Sequence, residues 1–274
     1  MIIDSHVHLF PPRVFDAIWR WFDRHAWSIR YRLYADDVLA HFRANGVARV
    51  VGLCYSHVPE MARDLNRFMA ELARAHPEQL IALGTVLPGE PNAEAIIDEA
   101  LRLGLRGFKI HCHVQKLGPD DPRLDPLYAR AAAAGVPVVI HAGTQPCLAG
   151  YGVDIHAICS AAATRRALAR HPSLTMIVPH LGDDEEDAYF AMLDEFPNLH
   201  LDTTMMVGEY FDRRIDPALL ERHCDRVLYG TDFPNIPYEW DRELRWLERH
   251  VSASAREKIC GVNAAKLFGV AATV

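Results

Sequence analysis

Short apolar runs alternate along the whole chain with stretches whose apolar positions recur every three or four residues. The runs Ile2–His8, Ala48–Tyr55, Leu80–Val86, Gly107–His113, Pro137–Ala142, Leu174–His180, Leu199–Thr203 and Val227–Asp232 are rich in β-branched and aliphatic side chains. Strands buried on both faces have that composition. Between them, Glu60–Ala75, Ala93–Leu103, Pro126–Ala134, Ile155–Arg170 and Glu185–Phe196 carry helical spacing, several stopping at Gly or His-Pro. Helical crossovers enforce parallel pairing. Eight such units predict an α/β fold, a closed (β/α)8 TIM barrel with an aromatic-rich insertion after the first strand and C-terminal helices, one domain over residues 1–274. A doubly wound open sheet would instead carry a Gly-rich phosphate turn after its first strand, where this chain has His-Val-His-Leu-Phe-Pro-Pro.

Composition narrows the partners. A formal net charge of −7 gives no electrostatic reason to expect nucleic acid or an anionic membrane. No apolar run is long enough to span a bilayer. The opening Met-Ile-Ile-Asp-Ser-His has no basic stretch followed by an apolar one, so the expected location is cytoplasmic. Six cysteines lie far apart with no Cys-x-x-Cys pair and read as reduced, mostly buried thiols. Histidine is the unusual residue, at fifteen copies, and its placement carries the chemistry.

Asp4, His6 and His8 alternate along one strand, so a period of two turns them to one face, the barrel interior. His141, His180 and Asp232 end the fifth, sixth and eighth apolar runs, where a barrel's catalytic groups sit. Several unpaired imidazoles and a carboxylate buried together would cost several kcal/mol, which a divalent cation offsets.

The chain resembles the amidohydrolase superfamily, in its branch that includes aminocarboxymuconate-semialdehyde decarboxylase and related carboxy-lyases and hydratases. The matching stretches span nearly the whole sequence: Asp-Ser-His-Val-His, Gly107-Phe-Lys-Ile-His111, the Asp121 to Tyr128 helix entry, Val139-Ile-His-Ala-Gly143, Pro179-His-Leu-Gly182, Gly230-Thr-Asp-Phe-Pro234 and Asn263 to Phe268. The resemblance implies that His6, His8 and His141 bind a single Zn²⁺, with Mn²⁺, Fe²⁺ and Co²⁺ as other ions suited to such a site. It implies that Asp232 binds the metal and moves protons, and that His180 lies beside the bound water or substrate. Lys109 has two readings: a carbamate bridging two metals, or, favoured here, an ammonium paired with a barrel carboxylate, because the lysine sits a layer below His111. His111 is then a candidate substrate or second-metal contact, and for His113 a rim position is equally open.

Nitrogen-rich ligation with one open position activates water, so the first reading is metal-dependent hydrolysis of a small-molecule ester, lactone or amide. The second is non-oxidative decarboxylation of an aromatic or unsaturated carboxylic acid. A catalytically silent metal-binding scaffold is the third. Nine aromatic residues fall between Phe10 and Phe42. They supply either an active-site wall, using Phe10, Phe15, Trp19, Trp27 and Tyr31, or a helix anchored to the barrel or a second subunit through Trp19 and Phe22. A homodimer is an expectation of the family resemblance and this segment together. Arg30 and Arg32 are either carboxylate ligands or an exposed basic face, the latter favoured. Asp4 serves as a brace behind the ligands or as a buried structural carboxylate. The run Asp183–Asp187 reads as a solvated helix N-terminus. The remaining histidines, including His57, fall outside the expected site.

Overall fold

The computed structural model describes residues 1–210 and 214–271. Eight parallel strands follow the expected order: β1 (Ile3–His8), β2 (Arg49–Leu53), β3 (Leu80–Ala82), β4 (Phe108–His111), β5 (Val138–His141), β6 (Met176–Val178), β7 (Leu199–Asp202) and β8 (Val227–Leu228). They form two arcs, β1-β2-β3 and β4 through β8. Parallel bridges between Gly84 and Phe108 and between Val7 and Phe233 join the arcs into a ring. Hydrogen bonds from Ser5 N to Tyr229 O and from His8 N to Phe233 O close the second seam. This is the barrel that the alternating pattern predicts.

The helices between strands are α1 (Pro12–His25), α2 (Ala35–Ala44), α3 (Met61–Ala75), α4 (Ala93–Arg102), α5 (Cys112–Gln115), α6 (Asp125–Ala134), α7 (Ile155–Ile158), α8 (Ala161–Arg170), α9 (Glu186–Glu195) and α10 (Pro217–Arg222). After β8 come α11 (Arg242–His250), α12 (Ala253–Glu257) and α13 (Asn263–Leu267). The helix expected over Ile155–Arg170 is two helices. Cys159 and Ser160 between them are extended, and the Ser160 side chain accepts from Ala163 N to start α8 anew.

Alternation along the strands divides the core. Val138, Ile140, Met176 and Val178 pack outward against the helices. Ile3, Val51, Ile81, Val139, Ile177 and Leu228 fill the barrel interior, closed by Ala264, Ala265 and Phe268 at the C-terminal helix. The inward positions of β4 are therefore Lys109 and His111, with the lysine one layer deeper, as the residue parity requires.

On α11, Glu243 is buried and accepts from Met205 N at 2.6 Å and Tyr238 OH at 3.0 Å. Burial, outweighing those bonds, holds its carboxyl well above the usual range. An acid that keeps its proton in the folded state but releases it when unfolded contributes stability at low pH that is lost as pH rises above the unfolded value. Glu243→Gln retains the oxygen acceptor and removes the ionisation. The variant is expected to melt about 2–4 °C higher at pH 8, with a flatter melting profile between pH 5 and pH 8. Melting curves across that range check it, and a lower melting point throughout would overturn it.

Candidate active site

Every expected strand-end residue comes to the C-terminal mouth of the barrel, though not always on a strand. β8 stops at Leu228, and Asp232 lies four residues on with φ 67°. Its backbone N–H donates to His6 O at 2.9 Å, which ties this segment to β1. His180 likewise lies beyond β6, at φ 58°. A non-glycine residue in the left-handed region is uncommon, and such residues gather at functional sites. Gly230 permits the close approach. A Cβ there would stand 2.4 Å from Thr204 Oγ1 and 2.8 Å from His6 Cβ.

Two groups of donors face each other across the mouth. His6, His8 and Asp232 bring ligand atoms within 4.8 Å of one another, and His111, His113 and His141 do the same. His8 Nε2 lies 2.9 Å and His6 Nε2 3.3 Å from Asp232 Oδ1. His141 thus groups with the β4 histidines, and His180 links it back to the first group: His180 Nε2 is 3.1 Å from His141 Nδ1, and the His180 ring lies 5.6 Å from that of His6. The β4–β5 register, which pairs His111 with His141, explains why their rings stack at 4.3 Å.

Tautomers follow from the partners. His180 Nδ1 faces Thr204 O at 3.0 Å, and His141 Nε2 faces Gln145 O at 2.9 Å. Carbonyls only accept, so both of these nitrogens carry hydrogen. The neutral rings then point two bare lone pairs at each other across 3.1 Å. His6 Nδ1 meets Asp202 Oδ2 at 2.9 Å, which turns His6 Nε2 toward Asp232 as another lone pair. Burial drives the pKa values of His6, His141 and His180 below the ordinary imidazole value, so protons are disfavoured as the way to relieve this crowding. Burial alone would raise the Asp232 pKa, but His8, His6 and His180 outweigh it and hold this carboxyl well below its usual range.

Lys109 is fully buried, its Nζ 3.4 Å from His6 Nε2. Burial pushes its pKa down to about 8 against the pull of Asp202 and Asp232. The expected ion pair is absent: among the described residues no carboxylate oxygen comes within 4.0 Å of it, while Asp202 and Asp232 pair with His6 and His8. Asp4, for which the sequence leaves both a brace and a structural carboxylate open, holds backbone and a threonine hydroxyl rather than a ligand ring. A register shift between Asp4 and Val7 interrupts the alternation of β1, and the carboxylate accepts from His6 N, Thr231 N and Thr231 Oγ1. Burial lifts its pKa to about 8.

Three residues escaped the sequence reading. Asp202 orients His6, accepts from His180 N and Thr204 N at 3.1 Å each, and ends a strand as His8, His111 and His141 do; that position was its available signal. His113 is buried rather than on the rim, since β4 ends at His111 and the turn of α5 swings it to Gly143 O at 2.9 Å. His57 borders the cavity after all. The acidic run also departs from expectation: Asp183 is buried and its Oδ2 accepts from Gln145 N, while Glu186 and Asp187 do occupy the first turn of α9.

Above the donors opens a cavity of about 490 Å³. One face of α1 lines it, through Val14, Ala17, Ile18, Trp21 and Phe22, joined by Phe10, Trp27, Tyr55 and Tyr151. The aromatic segment serves both foreseen purposes. Phe15 and Trp19 stack at 5.5 Å on the other face of α1, and Tyr31 packs 4.8 Å from Phe233, so these three anchor rather than line. Phe22 lines rather than anchors. Arg30 and Arg32 form half-exposed ion pairs with Glu239 and Asp23 and do not border the cavity.

A closed parallel barrel with imidazoles and a carboxylate at its C-terminal mouth, under an apolar cavity, defines a (β/α)8 enzyme of the amidohydrolase type. The chain belongs to the amidohydrolase family (Amidohydro_2), whose model matches residues 3–270. It is 25% identical over 259 residues to gamma-resorcylate decarboxylase from Rhizobium sp. (strain MTP-10005), covering 76% of each protein. An uncharacterized TIM-barrel protein from Bordetella bronchiseptica shares the fold at a TM-score of 0.75, with 23% identity and 98% of each chain covered. So does 5-carboxyvanillate decarboxylase from Novosphingobium aromaticivorans, a complex with manganese and a nitrobenzoic acid, at a TM-score of 0.70, with 19% identity and 98% and 96% covered. Named decarboxylases thus recur among the relatives, which favours the second of the three sequence readings over hydrolysis. No helix among the described residues is long and apolar enough to cross a membrane.

Proposed function

We propose that the protein is a divalent-metal-dependent, non-oxidative decarboxylase of a hydroxylated aromatic acid. The carrying observation is two close pairs of acceptor atoms with no hydrogen between them, His141 Nδ1 with His180 Nε2 and His6 Nε2 with Asp232 Oδ1, at the same barrel mouth. Such a set fits a cation and is repulsive without one. Among the described residues His8 Nδ1 and His111 Nδ1 are buried with no hydrogen-bond partner, which adds to the same demand. His6, His8, His141 and Asp232 are the proposed ligands, His180 lies alongside, and Lys109 and His111 remain neighbours available to substrate. One ion is proposed, Zn²⁺ by its nitrogen-rich donors or Mn²⁺ by analogy with the structural relative. When bound it supplies fixed positive charge that binds an acid's oxygens and withdraws electrons from the ring.

The protein's own groups carry the proton. Asp232, ionised in the resting chain, accepts the substrate hydroxyl proton and delivers it to the ring carbon that bears the carboxylate. The carbon–carbon bond then breaks, its electron pair restores the aromatic ring, and CO2 leaves. Phe10, Trp21, Phe22, Trp27, Tyr55 and Tyr151 hold a flat ring and exclude water, an arrangement that favours loss of CO2 over attack by water. Asp202 keeps His6 in the tautomer the site needs.

The test is CO2 release by metal-loaded protein from gamma-resorcylate and 5-carboxyvanillate, run beside an ester and lactone panel scored for acid release. CO2 without ester or lactone hydrolysis is expected. Acid release with no CO2 would reinstate the hydrolase reading.

A further inference from the structure

Among the described residues the cavity border includes one cationic side chain other than histidine, Lys116, and no arginine. Lys116 caps the single turn of α5 at φ 57°, ψ 48°, a left-handed conformation that a side-chain-bearing residue adopts only when its surroundings enforce it. They do so here. Gln115, just before it, is clamped twice: its Oε1 accepts from His111 N at 2.9 Å, and its Nε2 donates to Val86 O at 2.8 Å. Leu117 N, just after, donates to Cys112 O. The same turn that delivers His113 to the metal end therefore fixes where Lys116 departs.

Its ammonium group lies over the opposite loop, since a Cβ on Gly152 would stand 3.7 Å from Lys116 Nζ, beside cavity-lining Tyr151. Many of the chain's cations are paired, as Arg130 is with Glu94 and Asp98. Lys116 has no carboxylate oxygen within 4.0 Å among the described residues. Asp232 and Lys116 both border the cavity, and much of the remaining lining is apolar, including Ile18, Trp21, Phe22, Trp27 and Val114. A cavity of about 490 Å³ exceeds what a single-ring acid fills.

We propose that Lys116 binds a second anionic group, and that the preferred ligand is an aromatic dianion whose charges are separated by an apolar body. The first anionic group sits at the His6–Asp232 end, a placement that rests on the proposed function. The long, hydrated side chain acts as a point charge, suited to a carboxylate, sulfonate or phosphate alike. It makes Lys116 a specificity residue outside the reacting centre.

Isothermal titration of the full-length, metal-loaded protein with two matched pairs tests this: benzoate against terephthalate, and biphenyl monocarboxylate against the dicarboxylate bearing its second group para on the far ring. In at least one pair the diacid is expected to bind roughly three- to tenfold more tightly, the range for a partly exposed ion pair, and the preference shrinks as salt is raised. Lys116→Met should erase the preference and leave the monoacid's affinity unchanged, while Lys116→Arg should keep it. Equal binding of acid and diacid in both pairs, no binding by any probe, or a preference that survives Lys116→Met would overturn the proposal. The two readings fail separately. A preserved diacid preference without CO2 release sinks only the decarboxylase reading, and CO2 release without the preference sinks only the role of Lys116.

Discussion

Asp232→Asn is expected to lower kcat for CO2 release by about 10³-fold or more while leaving the barrel folded. The amide is nearly isosteric, and the backbone bond from Asp232 N to His6 O does not depend on the side chain. What disappears is the negative charge that His8 and His6 surround and the oxygen able to take and return a proton. Because the carboxyl pKa is depressed in the folded chain, the wild type gains stability from it above the ordinary carboxylate pKa. That gain is lost as pH falls from about 4 toward the folded value. The variant's melting point should therefore fall less steeply with acid than the wild type's. Steady-state CO2 release beside melting curves at neutral and acid pH checks both halves, and an unaltered rate would remove Asp232 from the chemistry.

Stripping metal with a chelator is expected to abolish turnover to below roughly 1% of the loaded rate and to lower the melting point by about 5–10 °C, the shift of a ligand present at some hundredfold over its Kd. The physical ground is the facing lone pairs of His141 and His180 and of His6 beside Asp232, which repel once the ion has gone. Restoring Zn²⁺ or Mn²⁺ should recover activity at one equivalent per chain by elemental analysis. Two equivalents would point to His111 and His113, with His141 between the two groups, as a second holder. Undiminished CO2 release from protein carrying negligible metal would end the metal-dependent reading altogether.

Much of this site is legible in the sequence because parallel strands of a closed barrel all end at the same rim. A His, Asp or Lys that closes an apolar run is thereby placed at the mouth before any coordinates exist, as His6, His8, His141 and His111 are. Residues past the strand ends are harder. Asp232 and His180 look like strand termini but sit in left-handed backbone beyond them, held by long-range bonds to His6 and Asp202. The position of His113 is undecided by the sequence for the same reason: the strand's alternation gives way to a helical turn at Cys112, and period-two counting no longer applies.

Alternation, crossover helices and the polar residues closing each run were enough to determine the barrel, the rim and the chemical types gathered there, because those features depend on local periodicity and on which side of a strand a residue faces. Tertiary structure alone decided which nitrogen of each imidazole faces the centre, that Asp202 sets His6, that Lys109 has no carboxylate partner among the described residues, and which aromatics of the first insertion line the cavity. Apart from His141, whose partner Gln145 O is four residues on, those outcomes depend on hydrogen-bond partners and packing neighbours some 20 to 200 residues away. No local pattern encodes them.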